Sequence, residues 1–373
     1  MTTDAVPVRR AETPWWWADA AGIAAAASLL VVAVLWIGGG GASELIGGGW
    51  TAVTAAARLF GLLASDLMLL QVLLLARIPA VERAFGQDRL ARWHRWVGFT
   101  SFNLMVLHVV LVVPGYADGR ANPFAELWDL VTGYPGMLLA AAGTAALVMV
   151  TVTSLRAARR RLRYESWHLL HLYAYLGVGL ALPHQLWTGA DFIGSAAARA
   201  YWWTLYAAAA GAVLLYRVGI PLWRSRRHAL RVGEVRPEGP GLTSVYLHGE
   251  QLDRLPVRAG QFFLWRFLDG PGWSRAHPYS LSGPPRSGLL RITVKDLGDG
   301  SARVAALRPG TRVLIEGPYG RLAGGASLPG LVPGIAGHQV YICGPDDWTE
   351  TVVHAARSAG VPADRLHTER FAW

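Results

Sequence analysis

Four histidines in two apolar segments have the residue type and spacing to bind metal ions inside a membrane. His94 and His108 are 14 positions apart on one segment, and His171 and His184 are 13 positions apart on another. At about 1.5 Å of rise per helical residue, each pair spans roughly 20 Å of a hydrocarbon core about 30 Å thick. Ionisable side chains are costly in a bilayer and are usually functional there. Because imidazoles from facing helices can hold haem iron, the spacing predicts two b-type haems, one above the other.

Composition favours a multi-domain membrane protein. The chain has 373 residues, of which 53% are hydrophobic and 16% charged, so we expect a membrane part and a soluble part. The net charge of +10 comes from arginines beside apolar segments, which the positive-inside rule explains without a nucleic-acid partner. The single cysteine, Cys343, excludes disulfides and a four-cysteine iron–sulfur cluster. The first apolar run lacks a small-residue cleavage site, so we expect no cleaved signal peptide.

Six apolar runs predict a six-helix transmembrane bundle in a plasma or inner membrane, with the lipid bilayer as a partner. The runs are 17–37, 53–76, 93–113, 134–155, 167–187 and 201–223, and each is near the roughly 20 residues that a spanning helix needs. Arginines are concentrated in alternate connectors, at 77–95, at 156–163 and after the sixth run. The positive-inside rule therefore places both termini in the cytoplasm. The predicted membrane domain is 17–228, after a cytoplasmic tail at 1–16.

The charge alternation also pairs the histidines by depth. Both histidine-bearing runs would cross from the cytoplasm outward, so His94 would face His171 near the inner side and His108 would face His184 near the outer side. His168 competes with His171 for the inner site but lies one turn nearer the cytoplasm. Thirteen residues do not return to the same helical face, and Pro183 could re-aim His184 by loosening its helix. The alternative function for such histidines is polar contact between helices.

Short β-rich runs replace the apolar segments after residue 229. The runs 244–248, 261–265, 290–294 and 312–316 are separated by Gly/Pro turns, which predicts a small antiparallel β-barrel over 229–322. The stretch from Val340 to Pro345, followed by a helical run near 348–359, predicts one strand–turn–helix unit. We expect this last part, 323–373, to be a remnant α/β nucleotide-binding segment.

Two motifs together give the chain a family resemblance. Residues 275–282 read Arg-Ala-His-Pro-Tyr-Ser-Leu-Ser, and a Gly-rich turn follows Lys295, the single lysine of the chain. Together with the paired histidines, the His-Pro-Tyr-Ser motif resembles the ferric reductase/NADPH oxidase superfamily, over about residues 50–322. The bacterial members that it most resembles join a ferric-reductase-like transmembrane domain to a ferredoxin-reductase-type FAD-binding domain.

The resemblance assigns cofactor contacts to individual residues. It implies that Tyr279 and Ser280 contact the flavin ring, with His277 and Pro278 shaping the approach. It implies that Arg275 reaches the pyrophosphate, and that Lys295 with the turn containing Gly300 and Ser301 makes a second phosphate contact. Cys343, Gly344 and Pro345 resemble the nicotinamide-side motif. Phe371 is the expected aromatic residue stacked on the flavin, with Trp373 as the alternative.

One part of the family pattern is missing from the sequence. The family continues with a strand and a Gly-x-Gly loop soon after Gly320, where a helix N-terminus receives phosphate. Here residues 321–342 contain no such loop. We therefore expect a truncated NAD(P)-binding domain, because one strand and one helix cannot bury a doubly wound core.

The expected function is an NAD(P)H-dependent, ferric reductase/NADPH oxidase-like flavocytochrome. Electrons would pass from NAD(P)H through FAD and two b-type haems to an external acceptor, a ferric chelate or oxygen. Two alternatives stay open: a degenerate membrane cytochrome b that is inactive or reduced by a partner, and a membrane channel or scaffold with polar helix contacts. The sequence does not predict an oligomeric state.

Overall fold

The computed structural model divides the chain into two units. It describes residues 16–118, 122–162, 164–255, 262–282, 288–296, 298–319, 328–332, 334–344 and 346–370. Contacts within the chain define a membrane unit, Met1–Arg217, and a C-terminal unit, Val218–Trp373.

Helices make up the membrane unit. They are α1 Trp16–Gly38, α2 Gly41–Gly47, α3 Gly49–Leu75, α4 Pro79–Phe85, α5 Gln87–Ala117, α6 Pro123–Gly133, α7 Met137–Ser154, α8 Arg156–Arg159, α9 Tyr164–Trp187, α10 Ala190–Ile193 and α11 Ala196–Ala212. A π-helical stretch, Val213–Gly219, follows α11. Large apolar side chains such as Ile23, Leu30 and Leu138 are exposed on the helices, as expected of surfaces that face lipid tails.

Five helical stretches are long and apolar enough to cross a membrane, among the residues that the structure describes. They are Asp19–Gly38, Gly49–Leu75, Arg89–Ala117, Met137–Ser154 and Ala196–His228. The predicted span at 167–187 is also helical, as α9, but it is not among the five. Its 24 residues would reach about 36 Å, while His168, His171 and His184 lower its hydropathy. The helical membrane region is confirmed, and the count of six spans stays a prediction.

Small residues bring the spanning helices together in pairs. A Cβ at Gly115 of α5 would lie 2.5 Å from the Thr54 hydroxyl of α3, and a Cβ at Gly143 of α7 would lie 2.7 Å from the Gly177 carbonyl of α9. Such close approach is the usual packing mode where lipid removes the hydrophobic drive for association. The two pairs, α3 with α5 and α7 with α9, each contribute one of the histidine-bearing helices.

The C-terminal unit begins with one helix and two antiparallel sheets. Its elements are α12 Ile220–His228, β1 Arg231–Gly239, β2 Leu242–His248, β3 Phe262–Phe267, β4 His277–Ser280, β5 Leu289–Lys295, α13 Asp299–Ala302 and β6 Val313–Tyr319. The strand orders are β1-β2-β5 and β4-β3-β6, and an isolated bridge joins Arg231 to Arg312. The four predicted β runs lie almost entirely within β2, β3, β5 and β6. The antiparallel sheets are therefore confirmed, and closure into a barrel stays a prediction.

Alternating burial explains why these runs form strands around one core. In β3, Phe263, Trp265 and Phe267 are buried while the residues between them are partly exposed. In β5, Leu290, Ile292 and Val294 show the same alternation. A period of two places one face of each strand against the core.

The chain's last described part forms a strand–helix–strand unit. Its elements are α14 Leu328–Leu331, β7 Val340–Gly344, α15 Asp346–Ser358 and β8 Leu366–Arg370. The sequence predicted β7 and α15 but not β8, which pairs with β7 in parallel. Ile335, Ala356 and Val361 form a small buried cluster here. The segment thus has two strands to support its helix, where one was expected.

Candidate functional site

The predicted inner histidines lie next to each other. The ring centroids of His94 on α5 and His171 on α9 are 5.9 Å apart, with the ring planes inclined at 64°. The Trp167 ring lies 5.1 Å from the His171 ring, at an angle of 32°. His168 lies close enough to His171 for an electrostatic interaction. The structure therefore brings together the pair expected from depth matching, with His168 beside it.

The predicted outer histidines are also neighbours, and glycines make room for them. The His108 and His184 rings lie close enough to interact electrostatically. A Cβ at Gly61 of α3 would lie 2.7 Å from Nδ1 of His108, and a Cβ at Gly136 would lie 2.7 Å from the backbone nitrogen of His184. Pro183 is accommodated within α9, which continues to Trp187.

Acceptor atoms on neighbouring helices face the Nδ1 atoms of three of these imidazoles. The Nδ1 atom of His94 lies 3.3 Å from the Gln71 carbonyl oxygen, and that of His108 lies 2.8 Å from the Ala57 carbonyl oxygen. The Nδ1 atom of His171 lies 3.3 Å from the Ser154 hydroxyl. An Nδ1–H that donates to such an acceptor fixes the tautomer and leaves the Nε2 lone pair for a metal ion.

His184 departs from this pattern. Its Nδ1 atom is buried and has no hydrogen bond of good geometry among the described residues. The Ala181 backbone, one turn back in the same helix, interacts with the His184 ring. A buried polar atom of this kind calls for a partner.

The histidine pairs fit haem better than a bare metal ion. An imidazole nitrogen lies about 2 Å from a first-row metal ion, so two rings on opposite sides of one ion have centroids roughly 6 Å apart. The inner pair, at 5.9 Å, has this separation. Among the described residues no three His, Cys, Asp or Glu side chains come together as a metal site. Each pair could supply two imidazole ligands to a haem iron, and the porphyrin would supply the others.

The predicted flavin motif occupies β4 of the C-terminal unit. His277 and Tyr279 are partly buried on one face, while Pro278 and Ser280 are exposed on the other. The rings of His277 and Tyr279 are nearly parallel, at 9°, with centroids 5.9 Å apart. The indole nitrogen of Trp265 donates to the Tyr279 carbonyl at 2.9 Å. Burial raises the pKa of Tyr279 above its usual value, so its hydroxyl keeps its proton at neutral pH.

A narrow cleft brings three of the predicted flavin residues together. Arg275, His277 and Gly300 line it, along with Arg303. A Cβ at Gly300 would lie 2.7 Å from Cε1 of His277, so the bare backbone of the predicted phosphate turn packs on the ring of the flavin motif. Arg303 was not predicted from the sequence, and its guanidinium binds Asp269 at 2.9 Å. The cleft has a volume of only about 20 Å³, so Arg275 and the Gly300 backbone could contact a flavin phosphate at its edge but could not enclose one.

The other predicted phosphate contacts, Lys295 and Ser301, lie in or next to a turn that contains Asp296. Lys295 is exposed at the end of β5. In the turn that follows, the Gly298 N–H donates to Asp296 at 3.0 Å. The Ser301 hydroxyl donates to the Gly298 carbonyl at 2.9 Å. Two donors of the turn therefore already have partners within it.

The predicted nicotinamide-side and stacking residues are only partly described. The backbones of Cys343 and Gly344 end β7, where they pair with Glu369 and Arg370 of β8. Pro345, Phe371 and Trp373 lie outside the described residues. The structure places the first two predicted residues at the carboxyl end of a parallel strand, where α/β proteins commonly bind ligands.

The sequence analysis missed a polar cluster inside the membrane unit. Asp66 of α3 is fully buried and accepts hydrogen bonds from the Ser28 hydroxyl at 2.8 Å and the Tyr201 hydroxyl at 2.5 Å. A second group joins Gln185 to Ser65 at 2.9 Å and to Tyr206 at 2.6 Å. The signal was present, because Asp66 is the one acid in an apolar run of 53–76.

Comparisons with known proteins match the membrane unit. Residues 60–182 match the family model described as "Ferric reductase like transmembrane component". An uncharacterized protein of Archaeoglobus fulgidus is 28% identical over 111 residues, which cover 29% of this chain and 61% of that protein. The chain therefore spans less than two thirds of this relative. The family match includes His94, His108 and His171, and it confirms the resemblance predicted from histidine spacing.

The solved structures with detectable similarity include a ferredoxin reductase and a flavohemoglobin. The ferredoxin reductase in carbazole 1,9a-dioxygenase is 16% identical, covering 39% of this chain and 68% of its own, with a TM-score of 0.23. A flavohemoglobin from Malassezia yamatoensis with bound FAD and heme is 11% identical, covering 87% and 98%, with a TM-score of 0.26. TM-scores this low carry no conclusion about this chain.

Proposed function

We propose, on the premise that residues 60–182 form a ferric-reductase-like transmembrane component, that this chain is a membrane oxidoreductase. In this proposal electrons pass from NAD(P)H through FAD and two b-type haems to an acceptor on the other side of the plasma membrane. Both termini would be cytoplasmic.

The observation that carries the proposal is the state of the four imidazoles. Three have an acceptor beside Nδ1 on a neighbouring helix, and the inner two face each other at 5.9 Å. These three contacts hold the rings through Nδ1, and no hydrogen bond to their Nε2 atoms is found among the described residues. A histidine held through Nδ1 can offer its Nε2 lone pair to a metal ion.

The membrane unit's residues serve to hold and space the carriers. When bound, haem and flavin supply one-electron transfer and the conversion of a hydride into single electrons. His94 and His171 would hold the inner haem, and His108 and His184 the outer haem. Gln71, Ala57 and Ser154 orient three of these rings. No acid or base is needed at these sites, because the chain's contribution is ligation, distance and polarity.

The C-terminal unit's residues would position the flavin. The proposal puts the isoalloxazine ring against Tyr279 and Ser280, with the Tyr279 phenol in its protonated form. Arg275 would pair with a phosphate at the cleft that it shares with His277 and Gly300. Lys295 and Ser301 would make the second phosphate contact. Phe371 would stack on the flavin ring.

Anaerobic rapid mixing with NADPH or NADH tests the proposal. The purified protein, supplied with FAD, should show a Soret shift on mixing that reaches the amplitude obtained with dithionite. Adding a ferric chelate or oxygen should then reoxidise it, and the faster acceptor identifies the physiological class. If dithionite shifts the Soret band and neither nucleotide does, the reductase function is wrong.

One observation favours a second candidate, a membrane cytochrome b without its own NAD(P)H dehydrogenase activity. The sequence of residues 321–342 contains no Gly-x-Gly pattern, where the family places a phosphate-binding loop. The dithionite-only result supports this candidate. A purified protein with no Soret absorbance contradicts both candidates and favours a channel or scaffold.

A further inference from the structure

Asp66 is a carboxyl group buried in the middle of a spanning helix. Asp66 is 0% exposed and lies within the 27-residue helix α3. Hydroxyls from two other helices donate to its Oδ1 atom, that of Ser28 on α1 at 2.8 Å and that of Tyr201 on α11 at 2.5 Å. Three helices therefore meet at this side chain.

The second carboxyl oxygen has no such partner. Oδ2 of Asp66 is buried without a hydrogen bond from any described residue. The nearest cation on the same helix, Arg58, is paired with Glu44 and Asp191, both at 3.0 Å. The groups that face Asp66 are uncharged hydroxyls of α1 and α11. A buried carboxylate without a counter-ion is far more costly than a neutral acid, because a charge must leave water uncompensated.

Asp66 also lies midway in depth between the two histidine levels. The Gly61 backbone packs on His108, and the Gln71 carbonyl contacts His94. Asp66 is five residues from each, or roughly 7.5 Å along the helix axis in either direction. A negative charge at this depth would repel an electron at either level, and the repulsion is weakly screened in a low-dielectric core.

We propose that Asp66 is a proton-binding site of the membrane unit and is a neutral carboxylic acid in the oxidised protein. The proton resides on Oδ2, and the Ser28 and Tyr201 hydroxyls donate to Oδ1. The second part of the proposal rests on the proposed function: the bound proton removes a charge that would otherwise oppose electrons between the two haems.

Infrared spectroscopy of the purified full-length protein tests the proton directly. The wild-type spectrum minus that of Asp66→Asn should contain the C=O band of a protonated carboxyl, which shifts in D₂O. Tyr201→Phe should move this band upward in frequency, because one hydrogen bond to Oδ1 is lost. Asp129→Asn is the matched control, since Asp129 is exposed on α6 and its difference spectrum should show carboxylate bands. A carboxylate signal for Asp66 at neutral pH would overturn the proposal.

Haem midpoint potentials measured over a range of pH test the second part. At neutral pH Asp66→Asn should leave both potentials at their wild-type values, because one neutral group replaces another, and a rise of both potentials would show that Asp66 is ionised and would overturn the proposal. When the pH is raised far enough to ionise Asp66, both wild-type potentials should fall and those of Asp66→Asn should not show this fall. The same pH dependence in both proteins would overturn the second part. The infrared band does not depend on haem. If the purified protein lacks haem but shows the band, the proposed function is contradicted and the proton-binding site at Asp66 is still supported.

Discussion

Imidazole orientation at the proposed outer site depends on one small residue. His108 has Nδ1 at 2.8 Å from the Ala57 carbonyl oxygen, and its ring lies against the bare backbone of Gly61. Spacing along the sequence could predict that His108 reaches the outer depth. It could not predict Gly61, because a glycine in an apolar helix has several ordinary explanations, and only the packed structure shows which ring it faces.

Gly61→Ala should weaken haem binding at the proposed outer site without disturbing helix α3. The added Cβ would meet Nδ1 of His108 at 2.7 Å, so the ring must move. Overpacking of this kind costs about 1–3 kcal/mol, which corresponds to a loss of haem affinity of about 5-fold to about 140-fold. Alanine favours a helix over glycine, so the expected change is in haem content per chain and not in helicity.

Gly179→Ala is the matched control for this substitution. Gly179 lies on α9, and its added Cβ would meet nothing within 4 Å. We expect a full complement of haem in this variant, measured as haem released per chain. Equal haem content in both variants would show that Gly61 does not make room for the ring of an axial ligand.

At the scale of elements, hydrophobicity predicted the helices well and their limits less well. All six predicted apolar runs are helical, but α5 extends from Gln87 to Ala117 where the sequence suggested 93–113. The added N-terminal turns contain Arg89 and Arg92, which are too polar for an apolar window yet continue the helix. β8 was missed because four of its five residues, Leu-His-Thr-Glu-Arg at 366–370, are polar or charged. Its pairing with β7 identifies it as a strand.

Whether α9 crosses the membrane decides the topology. If it crosses, the connectors on its two sides lie on opposite faces of the membrane. In a Cys343→Ala background, which has no other cysteine, Ala157→Cys and Ala197→Cys place exposed thiols before and after α9. An impermeant maleimide applied to intact cells should label the second and spare the first.

The two thiol variants serve as each other's control. Both should be labelled after the cells are permeabilised. Labelling of both in intact cells, or of neither, would place the two connectors on one side and exclude α9 as a span. It would also remove the basis for pairing the four histidines by depth.

For the whole molecule, the sequence predicted the two parts of the chain but not the polar cluster in the membrane unit. The shift from apolar runs to β-rich runs located the change in architecture, because periodicity and composition differ strongly between them. Ser28, Asp66 and Tyr201 are 38 and 135 positions apart along the chain. No local pattern brings such residues together, so their contact emerges only from the packing of α1, α3 and α11.

The central claim is that the four histidines act as two axial pairs, and haem stoichiometry in single variants tests it most directly. Haem content per chain and the reduced optical spectrum should be measured in the wild type and in His94→Ala, His108→Ala, His171→Ala and His184→Ala. The account predicts two haems in the wild type and one in each variant. His108→Ala and His184→Ala should retain the same haem, and His94→Ala and His171→Ala the other. The account is contradicted if His108→Ala and His184→Ala retain different haems, or if either variant keeps both.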